Sequence, residues 1–196
     1  MSRLRLLCLL PDLHGGGAER MMIYLLRGLD REQFDVTLAL GRLRGELMPL
    51  IPKDIRVVEL GRDRAATSVF VLAKEFRHGH YDVCFSMVSM NLAAVLARLL
   101  SRDRVKLVLG ARSHYTKSIG TEATASGAKL AAVRSLYPLA ELVIAVSDGV
   151  RDDLVRKLRI PPSKVMTIYN PIDIDAVRAM AAHDPRHQWL SPDQEM

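Results

Sequence analysis

The chain has 196 residues, 49% of them hydrophobic and 26% charged, a balance that excludes a disordered or fibrous chain and fits one well-buried domain. Its net charge of +6 admits an anionic partner, either nucleic acid or a membrane surface. Aromatic residues make up only 5% and do not interleave with the basic ones, which argues against a base-stacking platform and hence against nucleic acid.

In chain order, apolar runs of strand length alternate with longer stretches of helical period. Strands are predicted at Leu4–Leu10, Asp35–Leu40, Arg56–Leu60, Asp82–Met87, Lys106–Gly110, Leu142–Val146 and Val165–Tyr169. Helices are predicted at Ala18–Leu29, Thr67–Arg77, Asn91–Leu100, Gly127–Tyr137, Asp148–Leu158 and Asp175–Ala182, each with apolar residues three and four apart. Ser147 is placed to cap the helix starting at Asp148, and Pro161-Pro162 to stop it after Leu158. Gly41–Pro52 and Tyr115–Ser126 read as loops. Repeated βα alternation predicts an α/β, three-layer Rossmann-like domain around a mostly parallel sheet of about seven strands. The domain is expected to span 1–174, with a helix and linker over 175–196.

The start, Met1 to Arg5, carries positive charge like a signal peptide, but Pro11-Asp12 halts the following apolar run. The longest uncharged stretch, Val83 to Ala97, is broken by Ser86, Ser89 and Asn91 and is shorter than the roughly 20 residues of a spanning helix. Cys8 and Cys84, the only cysteines, sit inside apolar runs and read as buried free thiols. These features point to the cytoplasm.

Between the first strand and the first helix stands Pro11-Asp12-Leu13-His14-Gly15-Gly16-Gly17-Ala18-Glu19-Arg20. Three successive glycines let the backbone approach a ligand, and the helix that follows aims unpaired amides and its positive end at the loop. The alternative is a tight turn that needs glycine for conformation only. The spacing is not that of a dinucleotide fingerprint, no acidic residue closes the second strand, and no lysine followed by Ser or Thr completes a phosphate-binding Walker loop. No His, Cys or carboxylate cluster has metal-ligand spacing.

Together with Val146-Ser147-Asp148-Gly149-Val150 and the run from Val165 to Asp173, which ends Asn170-Pro171-Ile172-Asp173, this opening resembles the group-one retaining glycosyltransferases of the GT-B fold. The resemblance runs over essentially the whole chain and is specific in combination. It implies the amino-terminal, acceptor-binding half of a two-lobed enzyme. Such an enzyme moves a sugar, of hexosyl type, from a nucleotide diphosphate to a glycan or lipid-linked acceptor with retention and without a metal or other cofactor. The carboxy-terminal donor-binding domain, in the same chain or a separate subunit, would supply most donor recognition, so this half alone is expected to be inactive.

Residue by residue, Gly15, Gly16 and Gly17 match the family loop that approaches the donor phosphate and acceptor hydroxyl. Glu19 is either a dipole partner in the first helical turn or a ligand contact. His114 matches the family histidine near the reaction centre and is the catalytic candidate, with Arg112 competing for the same place. Arg112, Tyr115 and Asn91 are the acceptor-side candidates, although Asn91 also suits a helix cap. Asn170 matches the exit toward the interdomain linker. Basic residues at Arg98, Arg102, Arg104 and Lys106, and at Lys117, Lys129 and Arg134, form either a solvated face or a surface for the inner face of an anionic membrane. Two other readings are a non-catalytic, acceptor- or membrane-recruiting subunit of a split transferase and a nucleotide-binding module without transfer activity.

Overall fold

The computed structural model describes residues 3–61, 65–118, 125–172 and 174–182. Seven strands, β1 (Leu4–Leu10), β2 (Phe34–Leu40), β3 (Arg56–Glu59), β4 (Val83–Met87), β5 (Lys106–Ala111), β6 (Leu142–Ala145) and β7 (Val165–Thr167), form one sheet. Their order is β3-β2-β1-β4-β5-β6-β7, and every pairing is parallel. The central strands are apolar on both faces because both faces are covered. Leu7 and Leu9 join one hydrophobic cluster while Leu6, Cys8 and Leu10 join the other, as the two-residue pleat requires.

The helices are α1 (Gly17–Gly28), α2 (Ala65–Gly79), α3 (Met90–Ser101), the short α4 (Tyr115–Ser118), α5 (Ala125–Leu136), α6 (Asp148–Asp152) and α7 (Ile174–Ala181). Connections that step in one direction along the sheet fall on one face, because crossovers between parallel strands are right-handed. Leu72 and Phe76 of α2, Ala93 and Ala97 of α3, Val133 of α5 and Val150 of α6 therefore share one cluster. Met22, Ile23 and Leu26 of α1 pack into the other. On the α1 side, beyond that helix, a groove of about 540 Å³ is lined by Tyr24, Phe85, Val108, Ile144 and Ile168.

The strand order reverses between β1 and β4, so the loops after these strands diverge and leave a crevice at their carboxyl ends, the usual ligand position in such sheets. The glycine loop leaves β1 at this point, and the loop carrying Ser89 leaves β4.

Three local differences from the sequence reading have physical causes. The Gly41–Pro52 loop contains a 3-10 turn, Met48–Leu50, begun around Pro49. The Tyr115–Ser126 stretch opens with α4, and its residues 119–124 lie outside the described residues. The helix expected over Asp148–Leu158 starts as α6 with Ser147 as cap, its Oγ accepting from the Val150 amide at 3.3 Å. It then widens into a π turn, Asp153–Lys157, closed by the Leu158 amide on the Asp153 carbonyl at 3.1 Å. Cys8 and Cys84 are buried free thiols. Of the expected terminal helix and linker, α7 is present, and residues 183–196 lie outside the described residues.

Candidate functional site

The glycine loop is held in place by the loop after β2. The Leu13 amide donates to the Arg44 carbonyl at 3.0 Å, and the Leu47 amide to the Leu13 carbonyl at 3.1 Å. Gly45, with φ +119°, lies so close to the Leu13 backbone that a Cβ would collide with it. Gly15 takes φ +85°, a conformation that favours glycine. The Glu46 carboxylate lies where a Gly15 side chain would go. Arg20 turns back to the same loop, its Nε donating to the Gly15 carbonyl at 3.2 Å and its guanidinium 3.7 Å from Glu46.

Gly16 is the cap residue of α1, with no side-chain cap bond. Glu19, three residues on, folds back over Gly16 and places its carboxylate at the positive end of the helix. Gly17 differs from its neighbours: no outside atom lies within 4 Å of where its Cβ would stand.

Arg112, one residue beyond β5, joins the sequence motifs. Its guanidinium donates to Asn170 Oδ1 at 2.7 Å and to the Gly17 carbonyl at 3.2 Å. Burial pulls its pKa below the usual arginine value, opposed by the nearby Glu19 carboxylate. The segment carrying Asn170 is held in turn by Asp148, which accepts from the Thr167 hydroxyl at 2.8 Å and the Tyr169 hydroxyl at 2.9 Å. Those two bonds, first from Thr167, hold the Asp148 carboxyl below the ordinary carboxylate range. Glycine loop, Asp148 turn and the segment carrying Asn170 thus form one bonded chain at one edge of the sheet.

Beside this chain lies a cavity of about 640 Å³, within the size range of small-molecule sites. Glu19, Ser89, Arg112, Ser113 and Lys129 supply its polar lining, and Val69, Leu92, Leu96, Val133, Tyr115 and Tyr137 most of its apolar wall. Tyr115 meets Tyr137 hydroxyl to hydroxyl at 2.5 Å, with the rings edge to face at 5.7 Å. Burial raises both phenols' pKa values, Tyr137's more. Asn91 is fully buried, its Nδ2 donating to the Gly110 carbonyl and the Tyr137 hydroxyl, each at 3.0 Å. The cap position of α3 is Ser89 and not Asn91; Asn91 instead joins β5 to the tyrosine pair.

His114 does not line the cavity. Its imidazole packs against Gly149, where a Cβ would come within 3.2 Å of Cε1, so a side chain at 149 would press on the ring. The loop carrying His114 is anchored one turn later by Asp153. This buried carboxylate accepts from the Thr116 amide at 3.1 Å and from the Thr116 hydroxyl, and pairs with Lys157 at 3.3 Å. Desolvation alone would raise its pKa, but the Thr116 bonds and Lys157 outweigh it and hold the carboxyl low.

Gly15, Gly16, Gly17, Glu19, Arg112, Tyr115, Asn170 and His114 therefore all occupy the carboxyl edge of the sheet, with Asn91 beneath them. The sequence reading had missed Tyr137, Asp153, Thr116 and Glu46. Only Asp153 left a signal, as an acid on the helix face shared with Val150 and Leu154. Among the described residues no three His, Cys, Asp or Glu side chains are grouped to hold a metal, and no helix is long and apolar enough to cross a membrane.

A sequence profile of Glycosyltransferase Family 4 matches residues 15–176. No curated protein matches the sequence. Among solved structures the chain is similar to HepE of Anabaena, in complex with UDP-glucose, at 19% identity and a TM-score of 0.66, over 88% of this chain and 45% of that one. It is similar to a glycosyltransferase of Rickettsia africae at 17% identity and 0.66, over 94% and 47%. A third is sucrose-phosphate synthase of Thermosynechococcus elongatus at 10% identity and 0.64, over 93% and 53%. At such identities the likeness establishes the fold alone, and the chain spans about half the length of each.

Proposed function

The chain belongs to Glycosyltransferase Family 4, and from that premise we propose that it is the acceptor-binding half of an enzyme that transfers a sugar from a nucleotide diphosphate with retention of configuration. The donor is a nucleotide sugar, as UDP-glucose is in the HepE complex. The acceptor is a glycan or a lipid-linked saccharide at the inner face of a membrane. A donor-binding lobe, in the same polypeptide or another, completes the site, and this half alone is inactive.

The observation that carries the reading is the Arg112 bridge from the Gly17 carbonyl to Asn170. It ties the start of α1 to the segment leaving β7, so the glycine loop and the exit to a second lobe share one position. In this reading the donor diphosphate meets the amides of Gly16 and Gly17, where the open Gly17 leaves room and the helix end stabilises the charge growing on the leaving group. That charge is stabilised without a metal. Glu19, which now lies over Gly16, gives way to the diphosphate and turns to the acceptor side. His114, held between two loops, is the catalytic residue beside the transferred sugar. Arg112 and Tyr115 receive the acceptor at the mouth of the 640 Å³ cavity, and Asn91 positions the tyrosines.

The test uses the complete two-lobed protein with radiolabelled UDP-glucose as first donor. Arg112→Met, Gly16→Val and His114→Ala each lower transfer at least about a hundredfold, the scale of losing one electrostatic or acid–base contribution. Full activity in both Gly16→Val and His114→Ala refutes the site. Product with inverted anomeric configuration, read by NMR, refutes retention.

A further inference from the structure

The α2–α3–α5 layer presents a face that a solvated helix layer would not. The outer side of α3 is a leucine stripe, Leu92, Leu96, Leu99 and Leu100, at the spacing of one helix face. Leu96, Leu99 and Leu100 are 40%, 52% and 41% exposed, although the opposite face of α3 is already buried in the core. Phe70 of α2 is 73% exposed. Arg77 of α2 donates to the Leu100 and Ser101 carbonyls. Phe70 lies seven residues before Arg77, on the same side of α2. Because α2 and α3 are neighbours, exposed apolar side chains on both helices make up this strip.

The charges on these helices are predominantly basic. Helices α2, α3 and α5 together carry Lys74, Arg77, Arg98, Lys129 and Arg134 against Glu75 as their single acid, and Glu75 accepts from the Tyr81 hydroxyl. Exposed Arg102 and Arg104 follow α3. The nearby acids are engaged, Glu141 with Arg98 and the Leu107 amide and Asp103 with the Val105 amide. By contrast α6 and its π turn balance Asp148, Asp152 and Asp153 with Arg151, Arg156 and Lys157. Finally, Leu92 and Leu96 of the strip also line the 640 Å³ cavity.

We propose that the α2–α3–α5 face docks on an anionic lipid bilayer, with Phe70, Leu96, Leu99 and Leu100 entering the interface and the basic side chains on the headgroups. An apolar strip within a basic field is the composition of an interfacial surface. A second copy of the chain fits it less well, because a two-fold dimer would set two such positive fields against each other. The shared leucines make the cavity the route by which the apolar part of a membrane-borne acceptor reaches the edge of the sheet. This last step rests on the acceptor-binding reading; the docking itself does not.

The 196-residue chain is sedimented with vesicles of equal parts phosphatidylglycerol and phosphatidylcholine, and with phosphatidylcholine alone. Binding is strong on the anionic vesicles, weak on the neutral ones, and weakened by molar salt. Lys74→Gln and Arg134→Gln each lower the partition coefficient about fivefold, the equivalent of about 1 kcal/mol per basic residue near an anionic surface. Phe70→Ser with Leu99→Ser lowers it about tenfold or more, and all four positions are exposed, so circular dichroism stays unchanged. Equal binding to both vesicle types, or indifference to both sets of variants, overturns the proposal. So does a stable dimer, seen by light scattering and dissolved by Leu99→Ser, that does not bind vesicles. Absence of vesicle binding by the unsubstituted chain, with transfer to a soluble acceptor intact in the complete protein, sinks this inference alone. Intact docking with Arg112→Met still fully active sinks the acceptor reading alone.

Discussion

Replacing Asp153 by asparagine tests the anchor beneath the His114 loop. The carboxylate is buried and accepts both donors of Thr116 while pairing with Lys157. Asparagine keeps the shape but turns one acceptor into an amide donor, which the Thr116 hydroxyl accepts by reversing its own bond. What is lost is the charge on these buried bonds, worth about 1–3 kcal/mol. Lys157 itself is half exposed and returns to water at little cost. A loss of about 1–3 kcal/mol lowers Tm by roughly 2–12 °C for a chain of this size.

Urea titration at pH 7 should show the midpoint falling with the slope unchanged. The pH dependence adds a second criterion. The folded carboxyl titrates below its ordinary value. Its contribution is therefore complete above the unfolded pKa, about 3.9, and is lost as pH falls through the lower folded value. The gap between wild type and Asp153→Asn must close in acid. A variant within about 0.5 kcal/mol of wild type at pH 7, or a gap that widens below pH 4, refutes the assignment.

Four further outcomes follow from the same geometry. Gly17→Ala meets open space and leaves the urea midpoint within about 1 kcal/mol of wild type. Gly45→Ala, at φ +119° and against the Leu13 backbone, loses at least about 3 kcal/mol. Tyr137→Phe removes a hydroxyl shared by Asn91 and Tyr115 and destabilises by about 1–3 kcal/mol; in a double-mutant cycle Tyr115→Phe couples to it by at least about 0.5 kcal/mol. Burial pushes the Cys8 thiol up to about 12 and raises Cys84 further, so neither reacts with Ellman's reagent in the native chain at pH 8 and both react in urea. Prompt native labelling of either one contradicts the packing.

The sheet was legible because a parallel strand covered on both faces must be apolar throughout, and the seven short Val, Leu and Ile runs have no other soluble use. Only ends shifted, as where β7 stops at Thr167 and not Tyr169, since Tyr169 has turned its hydroxyl to Asp148. The helix over Asp148–Leu158 was read correctly in extent, but its π turn was not, because apolar spacing does not register one extra residue per turn. Glycine permissiveness marked the Gly15–Gly17 loop, yet only the fold shows that Gly15 needs its conformation while Gly17 is open.

Local chemistry, then, sufficed for the alternation of elements, the glycine loop after β1 and the cap at Ser147, because each depends on a few adjacent residues. The meeting of Arg112 with Gly17 and Asn170, of Asn91 with Tyr137, and of Asp153 with Thr116 joins positions 37 to 95 residues apart. So does the outward face of α3, whose leucines look like core until α2, α5 and the sheet have filled the other side. No local pattern encodes such pairs, since it is the crossing order of the strands that sets which loops share an edge and which helix face is left over.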